Sequence, residues 1–279
     1  MDNFSIDAYT PKEIAARVEK VCISKTTTSP FKVFVLGILA GAFIALGAAL
    51  YTSVIHDSQG VPLGLLKLIG GLSFCLGLVL VVVAGAELFT GNNLLVIACI
   101  DGKISPGQLL TNWLVVFVGN FLGALIIVAL VYVSGLWQTG NGMLAEKVIL
   151  LGAGKVELSF LEAFSRGVLC NLLVCLAVWL CFAGHTVTDK ILAILFPITA
   201  FVALGFEHSV ANMYFIPASI IAINDPVITQ SISSDAILVQ SSSLNFSGLL
   251  ANLVPVTLGN IVGGSLFVGL VYYFLYVRD

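Results

Sequence analysis

Two short stretches share a pattern that a membrane-crossing segment should not tolerate. Gly85-Ala86-Glu87-Leu88-Phe89-Thr90-Gly91-Asn92 and Gly205-Phe206-Glu207-His208-Ser209-Val210-Ala211-Asn212 both read G-x-E-x-x-x-x-N. Each interrupts a long apolar run, one in each half of the chain. A carboxylate, an amide and helix-weakening glycines in hydrocarbon cost free energy unless they line a cavity or pack within protein. Interrupted spans at corresponding positions of two halves point to a transport site.

Composition excludes most other classes. Of 279 residues, 59% are hydrophobic and 10% charged, with a mean hydropathy of +1.08. Soluble domains carry about 25% charged residues. The net charge of −3 gives no argument for nucleic acid or an acidic partner. Of the six cysteines, all but Cys22 fall in apolar runs and none forms a C-x-x-C pair. They read as small buried hydrophobes, with no metal and no cofactor expected. Residues 1–30 are mixed polar and charged, so no cleavable signal peptide is expected and the first apolar span directs insertion.

Six segments are long enough to cross a bilayer at about 20 residues each. They cover about 31–54, 62–100, 107–137, 157–183, 189–223 and 245–277. The second and fifth exceed one simple span and contain the two interruptions, so each reads as helix–loop–helix. Ser105-Pro106 is expected to open the third span as N-cap and first helical residue, and Thr188-Asp189 the fifth in the same way. Lys12, Arg17, Lys20, Lys25 and Lys32 precede or open span one; Lys103, Lys190 and Arg278 follow spans two, four and six. The loops after spans one and five contain no Lys or Arg, so both termini are expected in the cytoplasm. The amino-terminal stretch reads as an amphipathic helix, capped by Thr10, opened by Pro11 and apolar along Ile14, Val18 and Val21. It either lies on the membrane surface or covers the cytoplasmic mouth.

The halves resemble each other beyond the interruptions. Gly37-Ile38-Leu39-Ala40 parallels Gly167-Val168-Leu169-Cys170, and Gly119-Asn120-Phe121-Leu122-Gly123-Ala124 parallels Gly259-Asn260-Ile261-Val262-Gly263-Gly264. Three spans per half is odd, so the second half must be inverted relative to the first. The expected architecture is an all-α integral membrane protein: an amphipathic segment over 1–30, then a six-span domain over 31–279. Its repeat halves cover about 31–137 and 157–277.

These residues carry a resemblance over essentially the whole chain after residue 30. The six spans, the Glu87-Leu88-Phe89-Thr90-Gly91 break, Leu169 to Trp179, Gly205 to Met213 and Val256 to Gly264 resemble the formate/nitrite transporter family. The resemblance implies an aquaporin-like protomer in the plasma membrane of a prokaryote and a homopentamer with one pore per subunit. It implies passage of small monovalent anions or their conjugate acids, with formate first, nitrite or hydrosulfide as alternatives, and acetate and lactate within loose selectivity. Gly91 follows Thr90 where formate-type members often carry Ser, which keeps nitrite in view. An enzyme partner docking at the amino terminus is an open expectation.

Residue by residue, the resemblance implies that Phe74, Leu78 and Phe201 are hydrophobic constrictions. Leu88, Phe89 and Thr90 form a flexible loop at the first break, with Leu88 and Phe89 counted among the constriction residues, and Thr90 is the hydroxyl partner of a central His208. Lys155 and Asn171 form a pair near the extracellular entrance that attracts the anion. From physics alone, His208 is the only histidine in an apolar span and is expected to donate a proton or a strong hydrogen bond to the anion. Glu87 and Glu207 are expected to cap freed backbone N–H groups, because a charged carboxylate in the pore would repel anions. The N–H groups of Asn92 and Asn212 are expected to add positive potential. A water or glycerol channel is disfavoured because neither break holds Asn-Pro-Ala. An intramembrane enzyme is disfavoured because no nucleophile or metal motif is present.

Overall fold

The computed structural model describes residues 7–57, 59–230, 232 and 243–278. Among the described residues, six helices are long and apolar enough to cross a membrane: α2 (Pro30–Ile55), α3 (Leu63–Gly85), α5 (Pro106–Val133), α7 (Phe160–Cys181), α8 (Val187–Leu204) and α11 (Phe246–Tyr276). Two shorter apolar helices complete the broken spans, α4 (Gly91–Ile100) after α3 and α9 (Ser209–Asn224) after α8. Beside these lie α1 (Pro11–Thr27), α6 (Met143–Val156) and the single turn α10 (Pro226–Thr229). No strand occurs among the described residues.

Local chemistry sets most helix starts. Thr10, Ser105 and Ser159 each form a capping box, with Glu13, Gln108 and Glu162 returning the bond. The fifth span starts slightly earlier than Thr188: Thr186 is the N-cap and Asp189 closes its box. That placement is favoured because the third residue after a hydroxyl cap supplies the reciprocal carboxylate. The third loop also holds more than a connection. It folds into α6, which sequence length alone concealed because its 14 residues are too few to span.

The halves repeat one order: α1 and α6 precede α2 and α7, then α3 and α8, α4 and α9, and finally α5 and α11. In each half the first and last spans pack along each other, α2 on α5 and α7 on α11. Small residues make this possible. A Cβ on Gly123 would run into the backbone oxygen of Ile38, and one on Gly263 into that of Val168. Gly123→Ala should therefore lower the melting midpoint in detergent by about 2–12 °C, from roughly 1–3 kcal/mol of overpacking. Gly154→Ala, whose Cβ would meet open space on α6, should leave the midpoint unchanged in the same thermal ramp.

Outward-facing residues such as Val133 and Phe196 are 81% and 80% exposed, an apolar belt suited to lipid or neighbouring subunits. α1 does not lie free on that surface. Ile14, Ala15, Val18 and Cys22 are buried against α4 and α11, and Val18, Val21, Cys22 and Lys25 roof a cavity at one end of the fold.

Candidate functional site

Both breaks begin with a glycine in the left-handed region, Gly85 at φ 85° and Gly205 at φ 71°. Only glycine reaches this conformation without strain, so each span ends there. In the second break the chain leaves the helix at Phe206 and restarts at Ser209, and His208 is the residue that caps the restart. Its Nδ1 accepts the Ala211 N–H at 3.1 Å. An imidazole nitrogen that accepts carries no proton, so the neutral ring holds its proton on Nε2. That Nε2 lies 2.9 Å from Thr90 Oγ1, contributed by the opposite break. Thr90 accepts this bond, which leaves its own hydroxyl hydrogen free to donate. Both side chains are buried.

The surroundings divide into two cavities with no lining residue in common. At the α6 mouth, about 240 Å³ is lined by Tyr51, Phe74, Lys155, Arg166, Phe201 and His208 among others. At the α1 mouth, about 440 Å³ is lined by Val18, Lys25, Leu78, Glu87, Leu88 and Lys190 among others. Phe74 and Phe201 meet edge to face at 5.6 Å, and the Phe201 ring stacks on His208 at 5.9 Å. The aromatic pair and the histidine thus line one cavity, and Leu78 with Leu88 line the other.

Phe89 takes no part in either lining. Its ring packs edge to face against Phe117 and Trp113 of α5, at 5.1 and 6.2 Å, so the expected constriction at this position is corrected. Asn171 is also displaced from its expected place beside Lys155. Its amide donates to Thr90 O, Asn93 Oδ1 and Asn260 O in the protein core, which uses its donors to tie the two halves together.

The two acids do not cap backbone. Glu87 Oε2 accepts from Lys25 Nζ at 2.9 Å and Asn92 Nδ2 at 2.7 Å, and the same Asn92 amide donates to Asn112 Oδ1. Glu207 repeats the construction with Lys155 Nζ at 2.9 Å and Asn212 Nδ2 at 2.6 Å, and Asn212 donates to Asn252 Oδ1. Nor do the N–H groups of Asn92 and Asn212 face a solute, because they donate to Leu88 O and His208 O. Ion pairing satisfies each carboxylate more completely than an N–H cap, since a lone buried charge costs far more than a neutral donor.

Behind each break a second asparagine holds the loop backbone. Asn120 accepts from Phe89 N and donates to Gly37 O and Glu87 O. Asn260 accepts from Ser209 N and donates to Gly167 O and Glu207 O. Sequence reasoning quoted these two asparagines but gave them no role, and it missed Lys25, Asn112 and Asn252. The signal was present. Lys25 stands as far before Gly37 as Lys155 before Gly167, and Asn112 as far before Asn120 as Asn252 before Asn260. Among the described residues, no cluster of three or more His, Cys, Asp or Glu could hold a metal.

The family model described as formate/nitrite transporter matches residues 12–274. The chain belongs to the formate/nitrite transporter family. Formate channel FocA of Haemophilus influenzae is 42% identical over 270 residues, covering 96% of this chain and 95% of that one. Formate channel FocA of Escherichia coli is 42% identical over 279 residues, covering 98% and 96%. A solved pentameric formate channel with formate bound superposes with a TM-score of 0.81 at 38% identity, covering 89% of this chain and 98% of that chain. The six-span inverted repeat with broken second and fifth spans is therefore the family's fold, and the twin Lys–Glu–Asn clusters are how this member holds its breaks open.

Proposed function

We propose that this chain is a channel for formate and related small monovalent anions. It works as one pore per subunit of a homopentamer in a bacterial inner membrane, with both termini in the cytoplasm. The observation that carries the reading is the buried His208 Nε2–Thr90 Oγ1 pair at 2.9 Å, which joins the two breaks and sets His208 in the wall of one of two largely apolar cavities. Relatives named as formate channels and a solved neighbour described as pentameric support the substrate and the assembly.

The barrier explains why a hydrogen-bond donor belongs there. Moving a bare ion into a dry passage costs tens of kcal/mol. Protonating a carboxylate of pKa near 4 at pH 7 costs about 3 units, or ~4 kcal/mol. The substrate therefore passes Phe74, Phe201, Leu78 and Leu88 as the neutral acid, or as an anion partly neutralised by strong donors. His208 supplies Nε2–H toward Thr90, and the freed Thr90 hydroxyl hydrogen points the pair's polarity at the solute. Because Nδ1 already accepts the Ala211 N–H, a second proton on the ring would set two N–H groups against each other. The histidine thus works as a neutral donor, and the proton that accompanies the anion comes from water at the mouth.

The test is flux into proteoliposomes holding the purified protein. Formate uptake should exceed that of empty vesicles and rise as external pH falls, because the neutral acid gains tenfold per unit. Nitrite and hydrosulfide should rank below formate, and glycerol should not enter. Glycerol entry without formate entry would replace this reading with a neutral-solute channel.

A further inference from the structure

The α6 mouth carries two cations, and only one of them is held in an ion pair. Lys155 Nζ is 2.9 Å from Glu207 Oε1 and sits 5.1 Å from the Phe215 ring centroid. Its charge is cancelled by the acid it holds. Arg166, on the second turn of α7, lines the same cavity as His208 and Phe201. Its guanidinium makes no hydrogen bond and no ion pair within 4.0 Å with any described residue. The acid one turn earlier, Glu162, is near enough to feel the guanidinium's charge but turns its carboxylate to its capping box, accepting from Ser159 N and Ser159 Oγ. The Arg166 backbone is fixed beside the break, because its carbonyl accepts the Glu207 N–H at 3.3 Å. The α1 mouth repeats the pattern, with Lys25 paired to Glu87 while Lys190 lines the cavity without an ion pair within 4.0 Å.

We propose that Arg166 captures the substrate carboxylate at the α6 mouth, and that Lys155 serves to hold Glu207 and the break. The inference rests on the anion-channel reading and names the residue that receives the anion. A guanidinium presents a planar fork that grips a carboxylate through two parallel N–H···O bonds, a match no ammonium makes. A guanidinium free of any ion pair within 4.0 Å, in a concave, low-dielectric mouth, keeps its donors open to a solute and raises the local anion concentration. The Lys155–Glu207 pair, summing to zero, contributes little to that attraction. Recruitment at Arg166 places the anion in the cavity that His208 and the Phe74–Phe201 pair line.

The experiment is formate uptake into proteoliposomes by the wild type, Arg166→Leu, Arg166→Lys and Arg166→Cys, each first shown to elute as the wild-type oligomer. Arg166→Leu should raise the half-saturating formate concentration about fivefold or more while maximal flux stays within about twofold, since capture is lost and the constriction is not. At low formate, wild-type uptake should fall as salt rises, and that dependence should vanish in Arg166→Leu. Arg166→Lys should lie between, keeping charge without the fork. Arg166→Cys should regain low half-saturation after a cationic thiosulfonate reagent and lose more after an anionic one, with treated wild type as the control for the native cysteines. Wild-type half-saturation and salt dependence in Arg166→Leu would overturn the assignment and return recruitment to Lys155. A wild type no faster than empty vesicles would reject the channel reading itself, and the Arg166 assignment with it.

Discussion

Replacing His208 with Phe should reduce formate flux about 10- to 100-fold at neutral pH while leaving the rise in uptake at lower pH, which belongs to the substrate acid, in place. A hydrogen bond to a charged group is worth about 1.5–3 kcal/mol, and in this narrow passage no other described side chain in the α6-mouth lining stacks on Phe201 and reaches Thr90 at once. Phe fills the space and keeps the stack on Phe201, so a loss of flux reports the missing donor more than a missing wall. The substitution also strips the cap from the Ala211 N–H, a cost of about 1 kcal/mol. His208→Asn separates the two effects, because Asn caps well yet is too short to replace Nε2 against Thr90. Both variants should lose flux, and Asn should melt closer to the wild type than Phe. Wild-type formate flux in His208→Phe would remove the ring from the conduction mechanism.

The largest structural effect should come from Asn120→Ala. One fully buried amide satisfies the Phe89 N–H at 2.9 Å, Gly37 O at 2.8 Å and Glu87 O at 2.9 Å. Deleting it leaves loop backbone groups without partners where no bulk water reaches, at about 1–3 kcal/mol each. A loss of roughly 3–5 kcal/mol takes a large share of a typical fold's stability. The variant should yield little assembled protein and melt well below the wild type. Asn260→Ala should behave alike, since its amide makes the twin set of bonds. A wild-type melting curve for Asn120→Ala would show that the first break is held by something other than this side chain.

Much of this architecture was legible because membrane spans and caps are local events. The apolar runs, the hydroxyl-plus-acid boxes at Thr10 and the Ser105–Pro106 start depend on residues a few positions apart. The breaks announced themselves because a glycine, a carboxylate and an amide in hydrocarbon admit few explanations. What escaped was set by distant partners. Phe89 was assigned to the pore, yet it turns toward Phe117 and Trp113, and no property of its neighbours in sequence decides between those faces. Glu87 was assigned to backbone capping, yet its partner is Lys25, 62 positions away in the chain. The π-helical stretch Val262–Leu270 in α11 went unread as well, since an extra residue per turn leaves no mark in the apolar run. Gly264 and Gly269 there face Asn171, Cys175 and Val96 too closely for a Cβ, so tertiary crowding accounts for the local winding.

Lys25 comes from α1, ahead of the first membrane crossing, whereas its twin Lys155 comes from α6, between the halves. The duplicated unit accordingly starts one helix earlier than the hydrophobic pattern suggests, and the amino-terminal segment is half of a matched set. Shortening the chain to remove α1 would strip the Glu87 carboxylate of its ion-pair partner at the rim of a conduit meant for anions. Such a trimmed protein should reject its solute by repulsion rather than pass it more freely.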